Sequence, residues 1–272
     1  PKTEYLKLTG ALSGNYQWDW QEENFQLSWE RREKYICQIL ESLASGFLEK
    51  YALPQEGIKI LNERLQIISE NNGRVSTRFL ELLSELNQNY SIAICEQILD
   101  LGDCPLAPYI ASMLYRAREF DIERAIKVFR DAVDSGKSTF CSSFAKNYWA
   151  WENNLASDEL RQIVQKLLVH PELEVKKAAI GSLAILIRSK PQLAIDLALD
   201  VEIDRNVELA EELFQVFSTD LLDSLTKEEL EVLLHKLEFV DRLSGYHICE
   251  FLVYISQKLP SFILQLILRR IE

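Results

Sequence analysis

Carboxylates dominate the side chains of this sequence that could do chemistry. They are densest between Asp196 and Glu238. There Asp200, Glu202, Asp204, Glu208, Glu211, Glu212, Asp220, Asp223, Glu228, Glu229 and Glu231 face only Arg205, Lys227 and Lys236. A carboxylate pair can act as general acid and base, but one member then needs an apolar pocket to raise its pKa. The spacing offers no such pocket. Glu208 and Glu211 or Glu212 instead share one face of a helix, while Leu209, Leu213 and Phe217 or Val216 face inward. A solvated acidic face is the plain reading. The functional one is an acidic patch that attracts a basic segment of a partner. The stretch just before it is basic, with Arg161, Lys166, Lys176, Lys177, Arg188 and Lys190. Neighbouring segments of opposite sign would form bands that orient a partner.

Tyr148-Trp149-Ala150-Trp151 is the second candidate. Alternate residues diverge on an α-helix, so Trp149 and Trp151 share a core only if the helix ends there. Core or cap packing competes with an exposed aromatic anchor, the residue type that often dominates protein interfaces. Asp134-Ser-Gly136-Lys137-Ser138-Thr139 ends like a phosphate-binding loop. The glycine required five residues before Gly136 is Asp131, however, and residues 122–133 have a helical pattern where a strand is needed. A helix-to-helix turn with Gly136 at the cap fits better. His170, His235 and His247 show no paired-ligand spacing, and the five cysteines are odd in number, scattered and free of CxxC pairs. Neither a metal nor a cofactor is expected, and buried reduced thiols suit a cytoplasmic protein.

The chain has 272 residues, 47% of them hydrophobic, with nine glycines and seven prolines. So little punctuation suits helices rather than sheets. No run of about 18 uncharged apolar residues occurs, so no membrane partner is expected. The net charge of −12 argues against a general nucleic-acid binder, which needs a positive surface to displace counterions. The chain begins at Pro1 without a signal pattern, which suggests a fragment of a larger protein.

These residues must be positioned by helical hairpins. In Leu173–Asp200, Val175, Ala178, Ala179, Ile180, Leu183, Leu186 and Ile187 recur mostly three and four apart, and Pro191 opens a second helix. The stretch from Val75 to Asp100 aligns with Val175 to Asp200 without a gap, Leu86 falling on Leu186 and Ile94 on Ala194. First helices begin near residues 75, 105, 138, 173, 207 and 242, at intervals of about 30 to 35. Ser157 is expected as an N-cap, and Thr226 with Glu229 as a capping box. Residues 1–26, with Tyr16, Trp18, Trp20 and Phe25, show little helical period and read as an extended, aromatic-rich lead-in.

The segment Pro171-Glu-Leu-Glu-Val175-Lys-Lys-Ala-Ala179-Ile180 resembles the HEAT pattern of proline, acidic turn, valine, basic residues and paired alanines. The resemblance implies an all-α, right-handed α-solenoid of about six to eight stacked hairpins over residues 27–272. It further implies a protein-recognition scaffold, or the sensor arm of a larger signalling protein, rather than an enzyme. The expected partner is another protein or a domain of its own full-length chain, bound through Glu208, Glu211, Glu212, Trp149 or Trp151. Some HEAT-like proteins are enzymes, so a DNA-repair glycosylase or a bilin lyase is the alternative. The first needs a basic concave groove, against which the acidic total argues, and the second a deep tetrapyrrole pocket.

Overall fold

The computed structural model describes residues 2–14 and 29–271. Among them the chain forms sixteen α-helices, two short 3-10 helices and no strand. The first eight helices are α1 (Lys2–Ser13), α2 (Trp29–Lys50), α3 (Pro54–Glu70), α4 (Arg78–Leu86), α5 (Gln88–Leu101), α6 (Ile110–Ala117), α7 (Ile122–Asp134) and α8 (Ser138–Ala145). They are followed by α9 (Ser157–Leu168), α10 (Leu173–Leu186), α11 (Pro191–Asp200), α12 (Val207–Gln215), α13 (Thr219–Leu222), α14 (Lys227–Lys236), α15 (Tyr246–Lys258) and α16 (Pro260–Ile271). The all-α expectation holds.

The local signals act where chemistry places them. Pro54, Pro191 and Pro260 each open a helix, where a missing N–H costs nothing. Thr226 and Glu229 form the expected capping box, with Glu229 N–H donating to Thr226 Oγ1 at 3.2 Å and Thr226 N–H to Glu229 Oε2 at 2.7 Å. Gly136 follows α7 with φ +63°, the left-handed conformation glycine adopts without steric cost. Two expectations need correction. Ser157 is the first residue of α9, and the cap position belongs to Ala156, which makes no side-chain cap. Residues 2–13 are helical, not extended. Leu8, Ala11 and Leu12, at i, i+3 and i+4, are buried. The helix packs on α3 and α4, and Ser76 N–H donates to Leu12 O at 2.6 Å. Tyr16, Trp18, Trp20 and Phe25 lie outside the described residues.

Contacts divide the chain into two compact units, Pro1–Ser143 and Phe144–Glu272. In the first, α1, α3, α5 and α7 contact one another in succession, and so do α2, α4 and α6. Helices α4 and α6 also contact their own hairpin partners, α5 and α7. Phe47 meets Phe79 edge-on at 6.0 Å across α2 and α4. Gly57 of α3 leaves room for Tyr90 of α5: a Cβ there would come within 2.0 Å of the Tyr90 hydroxyl. That hydroxyl donates to Tyr51 O at 2.8 Å, past the end of α2. In the second unit, α9, α11, α14 and α16 form one succession, and α10, α12 and α15 the other. Phe214 and Phe251 meet across α12 and α15, tilted at 37° with centroids 4.6 Å apart.

Polar links follow the same rows. Arg116 of α6 reaches Glu81 of α4 at 3.2 Å, and Arg124 of α7 grips both carboxylate oxygens of Glu96 of α5. Arg161 of α9 pairs with Asp196 of α11, and Lys177 of α10 meets Glu208 of α12 at 2.8 Å. Arg269 of α16 pairs with Glu238, just beyond α14. These partners stand 35, 28, 35, 31 and 31 residues apart. Exposed pairs such as these contribute little energy singly, typically below about 1 kcal/mol. Repeated in rows, they fix which helix faces which.

Burial pushes the Tyr90 phenol up to about 12, above its ordinary value near 10. As pH rises past 10, the unfolded chain releases this proton while the folded chain keeps it, so stability falls. The full loss is about 2–3 kcal/mol once pH passes the folded value. Urea midpoints at pH 9, 10 and 11 should therefore drop more steeply for the wild type than for Tyr90→Phe. Parallel slopes would remove this assignment.

Candidate functional site

The three glutamates singled out on α12 have different fates. Glu208 is exposed and bonds Lys177, whose ammonium is held above its usual pKa mainly by that hydrogen bond. Glu211 is half-buried and turned toward the next helix of its row. Its carboxylate accepts from the backbone N–H of His247 at 2.9 Å and of Ile248 at 3.3 Å. It therefore caps the start of α15, whose own cap residue, Gly245, has no side chain to offer. Gly245 also makes room: a Cβ there would lie 1.9 Å from Glu211 Oε2. Glu212 leans over α10, where a Cβ on Gly181 would meet its Oε2 at 3.2 Å. The change of sign between neighbouring segments is thus partly consumed inside the fold, since Arg161 pairs with Asp196 and Lys177 with Glu208.

The two tryptophans separate. Tyr148–Trp151 is a 3-10 helix, with three residues per turn, so Tyr148 and Trp151 eclipse each other. Both are fully buried, and the Tyr148 hydroxyl donates to Ala179 O at 2.8 Å. Trp151 is therefore a core residue and drops out of the candidate surface. Trp149 points elsewhere, half-exposed, and its indole N–H donates to Lys146 O at 3.0 Å. The loop after Asp134 is a helix-to-helix turn, and just beyond it, in the first turn of α8, Thr139 Oγ1 donates to Asp103 Oδ1 at 2.9 Å. His170 is buried, and its Nδ1 accepts from Glu172 N–H at 3.1 Å. Among the described residues, no three of His, Cys, Asp and Glu converge as metal ligands, and no helix is long and apolar enough to cross a membrane.

One concave feature escaped the sequence reading. Between α14 and α16 lies an open groove of about 470 Å³. Val232, Leu234, Phe262 and Leu266 give it an apolar lining, with Glu228, Glu231, His235, Glu238, Gln265 and Arg269 around them. Glu238 receives Arg269 and lies 2.9 Å from His235 Nδ1. Lys227 sits over the Phe262 ring, 5.1 Å from its centroid. The sequence signal was available: Glu228, Glu231, Val232 and His235 recur three and four apart, as do Phe262, Gln265, Leu266 and Arg269. What sequence could not supply is that α14 and α16 are neighbours.

No known protein family, curated protein or solved structure matches this chain.

If Glu211 is the cap of α15, Glu211→Ala should lower unfolding stability by about 0.5–2 kcal/mol, as for a lost N-cap. Gly245→Ala should also destabilise, because its methyl displaces the same carboxylate. The two changes should not add: with Glu211 shortened, the Gly245→Ala methyl has less to displace. Urea denaturation of the four members of this cycle measures the coupling, expected above about 0.5 kcal/mol. Strict additivity would show that the carboxylate and the glycine act independently.

Proposed function

We propose that this chain is a protein-recognition scaffold, or the sensor arm of a larger signalling protein, built as a right-handed α-solenoid of HEAT-like hairpins. The observation that carries the reading is the repeated lateral packing within each unit, marked by polar links between residues about 30 to 35 apart. Several positions aligned in the sequence also share burial, although Leu86 is exposed where its counterpart Leu186 is buried. Phe79 and Ala179, Leu80 and Ile180, Leu83 and Leu183, Ile94 and Ala194, and Ile98 and Ala198 are all buried. Such packing leaves regular outer faces whose side chains are free to meet a partner. Another protein, or another domain of the full-length chain, is the partner class that suits an acidic, helix-built surface. Glu208 and Trp149 are the accessible members of the candidate set, with the partly covered Glu212 beside them. Glu211 serves the fold.

Affinity capture from the source cell tests this, using wild type, Glu208→Lys/Glu212→Lys and Trp149→Ala, with thermal unfolding of each as the folding control. The scaffold reading expects a stoichiometric protein partner, its recovery reduced at least several-fold in one of the variants. A co-purifying tetrapyrrole with no protein partner would support the bilin-lyase alternative. Tight duplex DNA binding would support the glycosylase.

A further inference from the structure

We propose that the α14–α16 groove is the docking site for a basic amphipathic helix of a partner protein. The inference rests on the scaffold reading and specifies where and what the scaffold binds. Three observations carry it. The groove has an apolar floor, in which Phe262 and Leu266 are buried beneath an exposed Val232. Phe239 extends it, 59% exposed and edge-on to His235 at 5.6 Å. A phenylalanine and a valine held outward beside a groove are what an apolar helix face would cover.

The second observation is length. From Glu228 to His235 the α14 side runs about 10 Å at 1.5 Å per residue, which matches roughly two helical turns. A helix with apolar residues at i, i+3 or i+4, and i+7 would place them along this floor.

The third is charge. Glu238 is neutralised in place by Arg269, and Lys227 lies over Phe262. Glu228 and Glu231 are exposed at the rim and make no ion pair among the described residues. A lysine or arginine flanking the partner's apolar stripe would meet them, while an acidic helix of the same shape would be repelled. In a chain of net charge −12, this also selects against a second copy as occupant.

The test uses the whole chain and two fluorescein-labelled peptides of about fourteen residues. Both carry leucines at i, i+3, i+4 and i+7; one has lysines and the other glutamates at the remaining positions. Anisotropy titrations should show saturable one-to-one binding of the lysine peptide and at least tenfold weaker binding of the glutamate peptide. Glu228→Lys/Glu231→Lys should weaken the lysine peptide at least tenfold. Glu119→Lys/Glu123→Lys, an equal charge change at residues that do not line the groove, should leave it within about twofold. Val232→Asp should abolish binding while circular dichroism stays unchanged. No lysine-peptide binding to wild type, or equal loss in both lysine double variants, would overturn the proposal. So would concentration-dependent dimerisation that Val232→Asp removes, because the groove would then be a self-interface. If cellular capture succeeds with a partner indifferent to Glu228→Lys/Glu231→Lys, the scaffold reading stands and this docking site falls.

Discussion

Every element of this protein depends on one constraint: its hairpins carry apolar residues on more sides than a hairpin can cover. In α10, Val175, Ala179, Ile180, Leu183 and Leu186 are buried, and at 100° per residue they cover an arc of about 140°. Helices α9, α11 and α12 all contact it. Burying one such leucine or isoleucine contributes about 1.5–3 kcal/mol, so a lone hairpin would leave a large part of its stabilisation unrealised. Lateral packing is the solution. Within each unit the helices of a succession cover one another, as α10, α12 and α15 do.

Apolar burial is not directional, and by itself would allow one helix to slide against the next. The polar links supply the register. Arg124 engages Glu96 with two hydrogen bonds, a fork geometry that tolerates little displacement. Glu211 does more: it supplies acceptors to the first amides of α15, so α15 begins where α12 presents a carboxylate. Gly245 and Glu211 form one device, because the acceptor fits only where the cap residue has no side chain. In the first unit, Tyr90 works similarly, spanning from α5 to the backbone that follows α2 across the space left by Gly57.

Much of the fold was legible in the sequence because its signals are local. Proline at a helix start, a capping box and the three-and-four spacing of apolar residues each act within a few positions, and they located nearly every helix from α2 onward. Helix α1 was hidden by the aromatic residues that follow it, although Leu8, Ala11 and Leu12 already had helical spacing. The candidate site was legible only in part. Glutamates 208, 211 and 212 are equivalent in a one-dimensional reading. They become an ion-pair partner, a cap and a residue leaning on the neighbouring helix only once α10 and α15 flank α12. The tryptophans divide as residues two apart on any helix must, and what the α-helical spacing rule missed is that a 3-10 turn puts Tyr148 and Trp151 on one buried face.

The same logic indicates where recognition can occur. A side chain that joins neighbouring helices is committed to the fold, and changing it reports on stability before it reports on binding. Glu211, Trp151, Arg161 and Arg124 belong to that group. On the proposed scaffold reading, recognition falls to side chains that the lateral packing leaves uncommitted. Glu228, Glu231 and Val232 lie beside a floor made by the next helix of the row. A surface residue is a better candidate the fewer partners it has within the fold, and dense charge in the sequence is a poor guide until those partners are known.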